Sequence, residues 1–192
     1  MNSRRWFRSA AVLALIVLAS AAYAQPRAID TKKSTMTVRV YKSGVFSTFG
    51  HDHEISAPIA SGSVDAAAHG VELHVHAAAL RVRDPGTSEK DRAQIQKTMD
   101  SEVLDLEHHP DIEFRATSAE SSGSGTWTVR GDLTLHGQTR PVTVEVREEN
   151  GRYLGSARFR QSEFGIEPVK IAGGTIKVKD EVRIEFDIQL TH

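Results

Sequence analysis

The stretch WTVRGDLTLHGQTRPVTVEV, Trp127 to Val146, alternates apolar and polar residues on both sides of a turn. Trp127, Val129, Leu133 and Leu135 share one face, with Thr128, Arg130, Asp132 and Thr134 on the other. After His136-Gly137 the same period resumes through Val142, Val144 and Val146. A period of two puts alternate side chains on opposite faces of a strand. A glycine-bearing turn between two such runs reads as an antiparallel hairpin with one face to hide from water.

The pattern extends in both directions. Upstream, Met36, Val38 and Val40 alternate with polar residues, as do Val71, Leu73, Val75 and Ala77, and then Ile112, Phe114 and Ala116. Downstream follow Tyr153, Ala157 and Phe159, and finally Val182, Ile184, Phe186, Ile188 and Leu190. Asn150-Gly151 and Gly173-Gly174 mark further turns, Asn-Gly being a strong hairpin signal. About eight strands with a single apolar face must curl on themselves or pack on another sheet. The expected fold is all-β, an antiparallel barrel. One segment departs from the period: between Ser88 and Leu106, the residues Ile95, Met99, Val103 and Leu106 fall at helical spacing. Ser88 with Asp91 makes a weak capping box, so an amphipathic helix, bent near Asp100-Ser101, is expected to close one end of the barrel. Ser118 to Gly125 reads as a polar hairpin tip.

The amino terminus reads differently. Arg4, Arg5 and Arg8 precede the apolar run Ala10 to Ala22 and the small-x-small sequence Ala22-Tyr23-Ala24. This is the order of a secretory signal cleaved after Ala24, and the run is short of the ~20 residues that span a bilayer. Ser3-Arg4-Arg5-Trp6-Phe7 resembles a twin-arginine start, whereas the LALIVLA run suits the general secretory route; both lead out of the cytoplasm, here to the periplasm. Residues 25–192 then form one domain. With the three leader arginines gone, 21 basic residues face 25 acidic ones, a net of −4. That balance offers no footprint for nucleic acid and little attraction to anionic lipid. The absence of cysteine excludes disulfides and thiolate chemistry.

Catalytic patterns are lacking. There is no Gly-x-Ser-x-Gly elbow, no H-E-x-x-H helix and no phosphate-cradling glycine loop, so the chain reads as a non-enzyme without a cofactor. Nine histidines raise the question of metal. His74 and His76 share a strand face about 7 Å apart, but Glu72 and His76 would be about 13 Å apart, too far to share one ion unaided. The loop His51-Asp52-His53-Glu54 is more suggestive, and His51 with His53 is the favoured pair. A metal-handling or stress-related protein using that loop is the alternative reading.

Four segments in order resemble the YceI-like family of exported polyisoprenoid-binding proteins. They are GDLTLHGQTRPVTVEV (Gly131–Val146), HPDIEFRAT (His109–Thr117), Ser162-Glu163-Phe164-Gly165 and DEVRIEFDIQL (Asp180–Leu190). The resemblance spans about Ile29 to Leu190. It implies a lipocalin-like periplasmic barrel whose long apolar channel takes isoprenoid, quinone-like or fatty chains, and it brings no catalytic residues. By position the channel would be lined by Val38, Leu73, Val75, Phe114, Trp127, Leu133, Leu135 and Phe159, with Ile95 and Met99 from the helix and Phe164 from the turn. Three features depart from the family pattern: Gln161 where an arginine is usual, His109 where an aromatic residue is usual, and the first hairpin VFSTFGHDHEI (Val45–Ile55). The apolar ligand is the expected partner, with transient contact to a membrane or membrane protein for delivery. A closed barrel has no free edge to drive dimerisation, which leaves its outer face and the helix as places for one.

Overall fold

The computed structural model describes residues 25–43, 52–171 and 176–191. The leader, His51 and Gly173-Gly174 lie outside these residues.

The strands are β1 (Arg27–Ala28), β2 (Thr35–Ser43), β3 (His53–Ser56), β4 (Ser61–Asp65), β5 (Gly70–His76), β6 (Arg81–Val82), β7 (Asp111–Gly123), β8 (Thr126–Leu135), β9 (Gln138–Glu149), β10 (Arg152–Arg160), β11 (Lys170–Ile171) and β12 (Ile176–Gln189). One helix, α1 (Glu89–Thr98), lies between β6 and β7. Every pairing is antiparallel, and the sheet runs β1-β4-β5-β7-β8-β9-β10-β12-β2-β3-β6, with β11 on β12. The twelve strands among the described residues exceed the eight expected, for a structural reason. β1, β6 and β11 are two-residue pieces, and β3 and β4 are halves of one bent strand.

That bent strand closes the barrel. β3 pairs with β2, and β4 pairs with β5. Between them the Ala57 amide donates to Met36 on the β2 side, and the Ala60 amide donates to His74 on the β5 side, both at 2.9 Å. Pro58, which has no N–H to donate, sits between the two. A single stretch of chain therefore passes from one end of the curled sheet to the other. β1 fills the wedge this leaves: the Ile29 amide donates to the Gly62 carbonyl and the Asp30 amide to the Gln189 carbonyl.

Two hairpins have the turns their sequences require. Leu135 pairs with Gln138 around His136 (φ 50°) and Gly137 (φ 68°). Glu149 pairs with Arg152 around Asn150 (φ 53°) and Gly151 (φ 76°). Positive φ at both central residues matches the right-handed twist of the flanking strands.

Ser88 caps α1 by accepting the Asp91 amide, as its sequence predicts. The helix ends where the bend is expected, widening into a π-helical turn over Met99–Val103. Met99 and Leu104 are buried there with Leu135, Phe164 and Ile166. Ile95, Val103 and Leu106 pack on this cluster, so the predicted stripe plugs one end of the barrel. A smaller cluster of Ile29, Ile59, Ile188 and Leu190 lies around β1 and the end of β12.

Candidate functional site

The inward faces of the strands meet in register. Leu73 of β5, Phe114 of β7 and Leu133 of β8 are successive cross-strand partners. Trp127 pairs with Val146, Val129 with Val144, and Val38 with Ile184. These side chains do not fill the interior. They surround a cavity of about 370 Å³ whose lining also includes Met36, Val75, Ile112, Val142, Phe159 and Phe186. That volume falls at the lower end of the roughly 300–1,000 Å³ of ordinary ligand pockets. Asp65, His69, Glu113 and Tyr153 are the ionisable lining residues; Asp65 ends β4 and His69 lies in the exposed turn that follows it.

Two glycines make room for large rings. A Cβ on Gly131 would lie 2.5 Å from the Phe114 ring and from the Arg115 carbonyl. On Gly155 it would lie 2.4 Å from the Phe186 ring and from the Glu145 carbonyl. Phe114 and Phe186 therefore lie over their neighbouring strands rather than across the interior, which keeps the centre open.

Seven of the expected channel residues line this cavity: Val38, Leu73, Val75, Phe114, Trp127, Leu133 and Phe159. The other four lie in the plug: Met99, Leu135 and Phe164 are buried there, and Ile95 packs against it. The difference follows from the length of a strand. Trp127 and Leu135 are near opposite ends of β8 on the same face, so one reaches the open interior and the other its floor. Val75, Leu80 and Val142 belong to both the lining and the plug and form the layer between them. Trp127 and Tyr153, with ring centroids 6.4 Å apart, sit at the far end from the floor.

The floor is pinned by the Gln161–Phe164 turn. Gln161 is buried and donates to the Lys179 carbonyl at 2.8 Å, beside the register shift in β12. The Ser162 amide and hydroxyl both donate to Asp180. Phe164 is fully buried, stacked edge-on against Phe159 at 5.1 Å.

Of the favoured pair His51 and His53, only His53 is among the described residues. His53 is hydrogen-bonded through Nδ1 to Asp84, 2.6 Å away, and Asp84 is buried and also accepts the Glu54 amide. Asp52 accepts the amide of Lys42. Among the described residues two other groups bring three metal-ligating atoms within 4.8 Å of one another, and neither contains His53.

The first group is His74, His76 and Asp111 on the outer face. The third member comes from β7, opposite His76 in register, which inspection of one strand does not reveal. Both imidazoles bond to the same carboxylate oxygen, at 2.9 and 3.0 Å, and the bonds from His76 and then His74 hold Asp111 below the ordinary carboxylate range. The second group is Asp105, His109 and His136, all half-buried. A hydrogen bond from His108, reinforced by the neighbouring imidazoles, lowers the pKa of Asp105. No sequence spacing joins these three, because they come from the end of the π-helical turn, the approach to β7 and the β8–β9 turn.

The YceI-like domain family matches residues 28–190, nearly all of the described chain. The protein belongs to the YceI-like family. A UPF0312 protein of Vibrio cholerae is 24% identical over 184 residues, covering 90% of this chain and 92% of that protein. A UPF0312 protein of Pseudomonas putida is 49% identical over 45 residues, 23% of each chain. Among solved structures, BcnA of Burkholderia cenocepacia superposes with a TM-score of 0.59 at 18% identity, covering 85% of this chain and 99% of BcnA. A polyisoprenoid binding domain from Saccharophagus degradans, implicated in plant cell wall breakdown, superposes with a TM-score of 0.58 at 11% identity, covering 84% and 95%. At these identities the superpositions establish a shared fold.

Proposed function

We propose that this YceI-like protein binds one long apolar molecule, an isoprenoid, quinone-like or fatty chain, inside the barrel, and carries or sequesters it outside the cytoplasm. The observation that carries the reading is the 370 Å³ cavity, whose lining side chains are apolar apart from Asp65, His69, Glu113 and the Tyr153 phenol. A cavity walled by Leu, Val, Phe and Trp holds hydrocarbon better than water. Each methylene removed from water contributes about 0.8 kcal/mol, so a chain-like ligand needs no specific polar contact. The polyisoprenoid binding domain from Saccharophagus degradans shares this fold, which supports the same ligand class. No chemical step is involved; the protein acts by withdrawing apolar surface from water. The leader over residues 1–24 supports a periplasmic location.

Trp6 lies in that leader, which leaves Trp127, a cavity residue, as the single tryptophan of the mature chain. Titration with a fluorescent polyene fatty acid should transfer energy from Trp127 and saturate near one probe per protein. Leu133→Asp places a charge against the cavity and should weaken this uptake at least tenfold while the variant remains folded. Absence of saturable transfer in the wild-type protein would refute the proposal.

A further inference from the structure

We propose that Asp105, His109 and His136 form a binding site for one divalent transition-metal ion of the zinc class, outside the plugged end of the barrel. Two imidazoles and one carboxylate are the donor set such ions prefer, with a fourth position left for water. The three ligand atoms lie within 4.8 Å of one another. Ligand atoms about 2 Å from a common ion are at most about 4 Å apart, so any pair wider than that has to close up as the ion binds.

The surroundings hold these groups ready. His136 Nδ1 is 3.2 Å from the Phe164 carbonyl, which can only accept, so this nitrogen carries the proton and Nε2 is the one left to ligate an ion. An imidazole held this way by a backbone carbonyl is the usual support of a metal-bound histidine. His108 Nδ1 lies 2.9 Å from both oxygens of Asp105 and orients the carboxylate. The His109 ring stacks on that of His136, with centroids 4.4 Å apart, and packs against Gly137, where a Cβ would come within 2.8 Å of it. Among the described residues, neither ring nitrogen of His109 has a protein hydrogen bond, while its backbone amide donates to the Asp105 carbonyl at 2.9 Å. Asp105 and His136 both have positive φ, 47° and 50°. Asp105 also lines an open groove along α1 with Gln96, Lys97 and Asp100, which gives an ion a route in.

The His74–His76–Asp111 trio is the weaker candidate. Both imidazoles already bond to one carboxylate oxygen, and the trio stands on the open outer face. It serves as the internal control.

The test is calorimetric titration of the chelator-treated mature protein with zinc chloride, alongside the visible absorption of added cobalt(II). One saturable equivalent is expected, with the intense cobalt bands of a four- or five-coordinate site. Asp105→Asn and His109→Ala should each weaken zinc at least about tenfold. His136→Asn should do the same while keeping the turn, because asparagine tolerates positive φ. The double variant His74→Ala/His76→Ala should bind as the wild type does. Circular dichroism in chelator checks that each variant is folded. No saturable zinc binding, or binding that survives Asp105→Asn and His136→Asn, overturns the proposal, as does binding lost only in the His74/His76 variant. Since the polyene titration needs no metal, failure of this proposal leaves the ligand-binding reading separately testable.

Discussion

Phe164 and Leu133 are both large apolar residues facing inward, yet they differ in what surrounds them. Phe164 has no exposed surface and is enclosed by the floor, whereas Leu133 has the cavity on one side. Phe164→Ala should therefore cost about 3–5 kcal/mol, and Leu133→Ala about 2 kcal/mol, the low end for such a truncation. Denaturant midpoints of the two variants check the order. Leu135 belongs with Phe164, so a charge there should unfold the protein rather than empty it. The inward face of each strand was legible from alternation, but the depth of a residue along the barrel was not. Depth depends on strand register and on which residues close the end, and local periodicity carries neither.

A polar residue on the outer wall gives a pH dependence. The Glu185 carboxylate accepts from Arg39 at 2.7 Å, and that bond is the main reason its pKa is below the ordinary 4.5. The unfolded chain lacks the bond, so the contribution is complete above pH about 4.5 and disappears as pH falls through the lower folded value. Both side chains are about one-third exposed, which limits the pair to about 0.5 kcal/mol. The stability gap between wild type and Arg39→Met should close as pH drops from about 6 to about 3. A gap that widens on acidification would contradict this assignment.

Among the elements, α1 shows how a weakly apolar helix is attached. None of its residues is fully buried; Ile95 packs on the plug, and Gln96 supplies the hydrogen bonds to the chain around β6. That side chain accepts the Val82 amide at 2.9 Å and donates to the Leu80 carbonyl at 3.0 Å and to Asp100 at 2.8 Å. Gln96→Ala would leave the amide of buried Val82 unpaired, at a cost of about 1–3 kcal/mol. Hydrogen exchange should accelerate at Val82 and in the helix while the far strands keep their protection. The cap at Ser88 and a bend near Asp100-Ser101 could be anticipated from the sequence; the role of Gln96 could not, since Leu80 and Val82 precede the helix in another element. The same limit applied to the metal-ligating groups. His74 and His76 are visible as a pair, but Asp111 joins them only through strand pairing. His109 is visible as a histidine before Pro110, but its meeting with His136 across two turns is set only by the fold.

At the scale of the molecule, the closed wall and the open interior have different origins. Closure follows from one strand bent at Pro58 that bonds to β2 on one side and β5 on the other. The open interior follows from small residues such as Ala157 among the inward positions, and from glycines that let Phe114 and Phe186 lie against the wall. Alternation implied a barrel but could not distinguish a filled one from a hollow one, because both have the same period. The most direct test is organic extraction of the protein purified from its native host, followed by mass spectrometry of the extract. The account predicts a long-chain apolar molecule at close to one per barrel. An extract without lipid, from protein that also fails to take up long-chain probes, would contradict it.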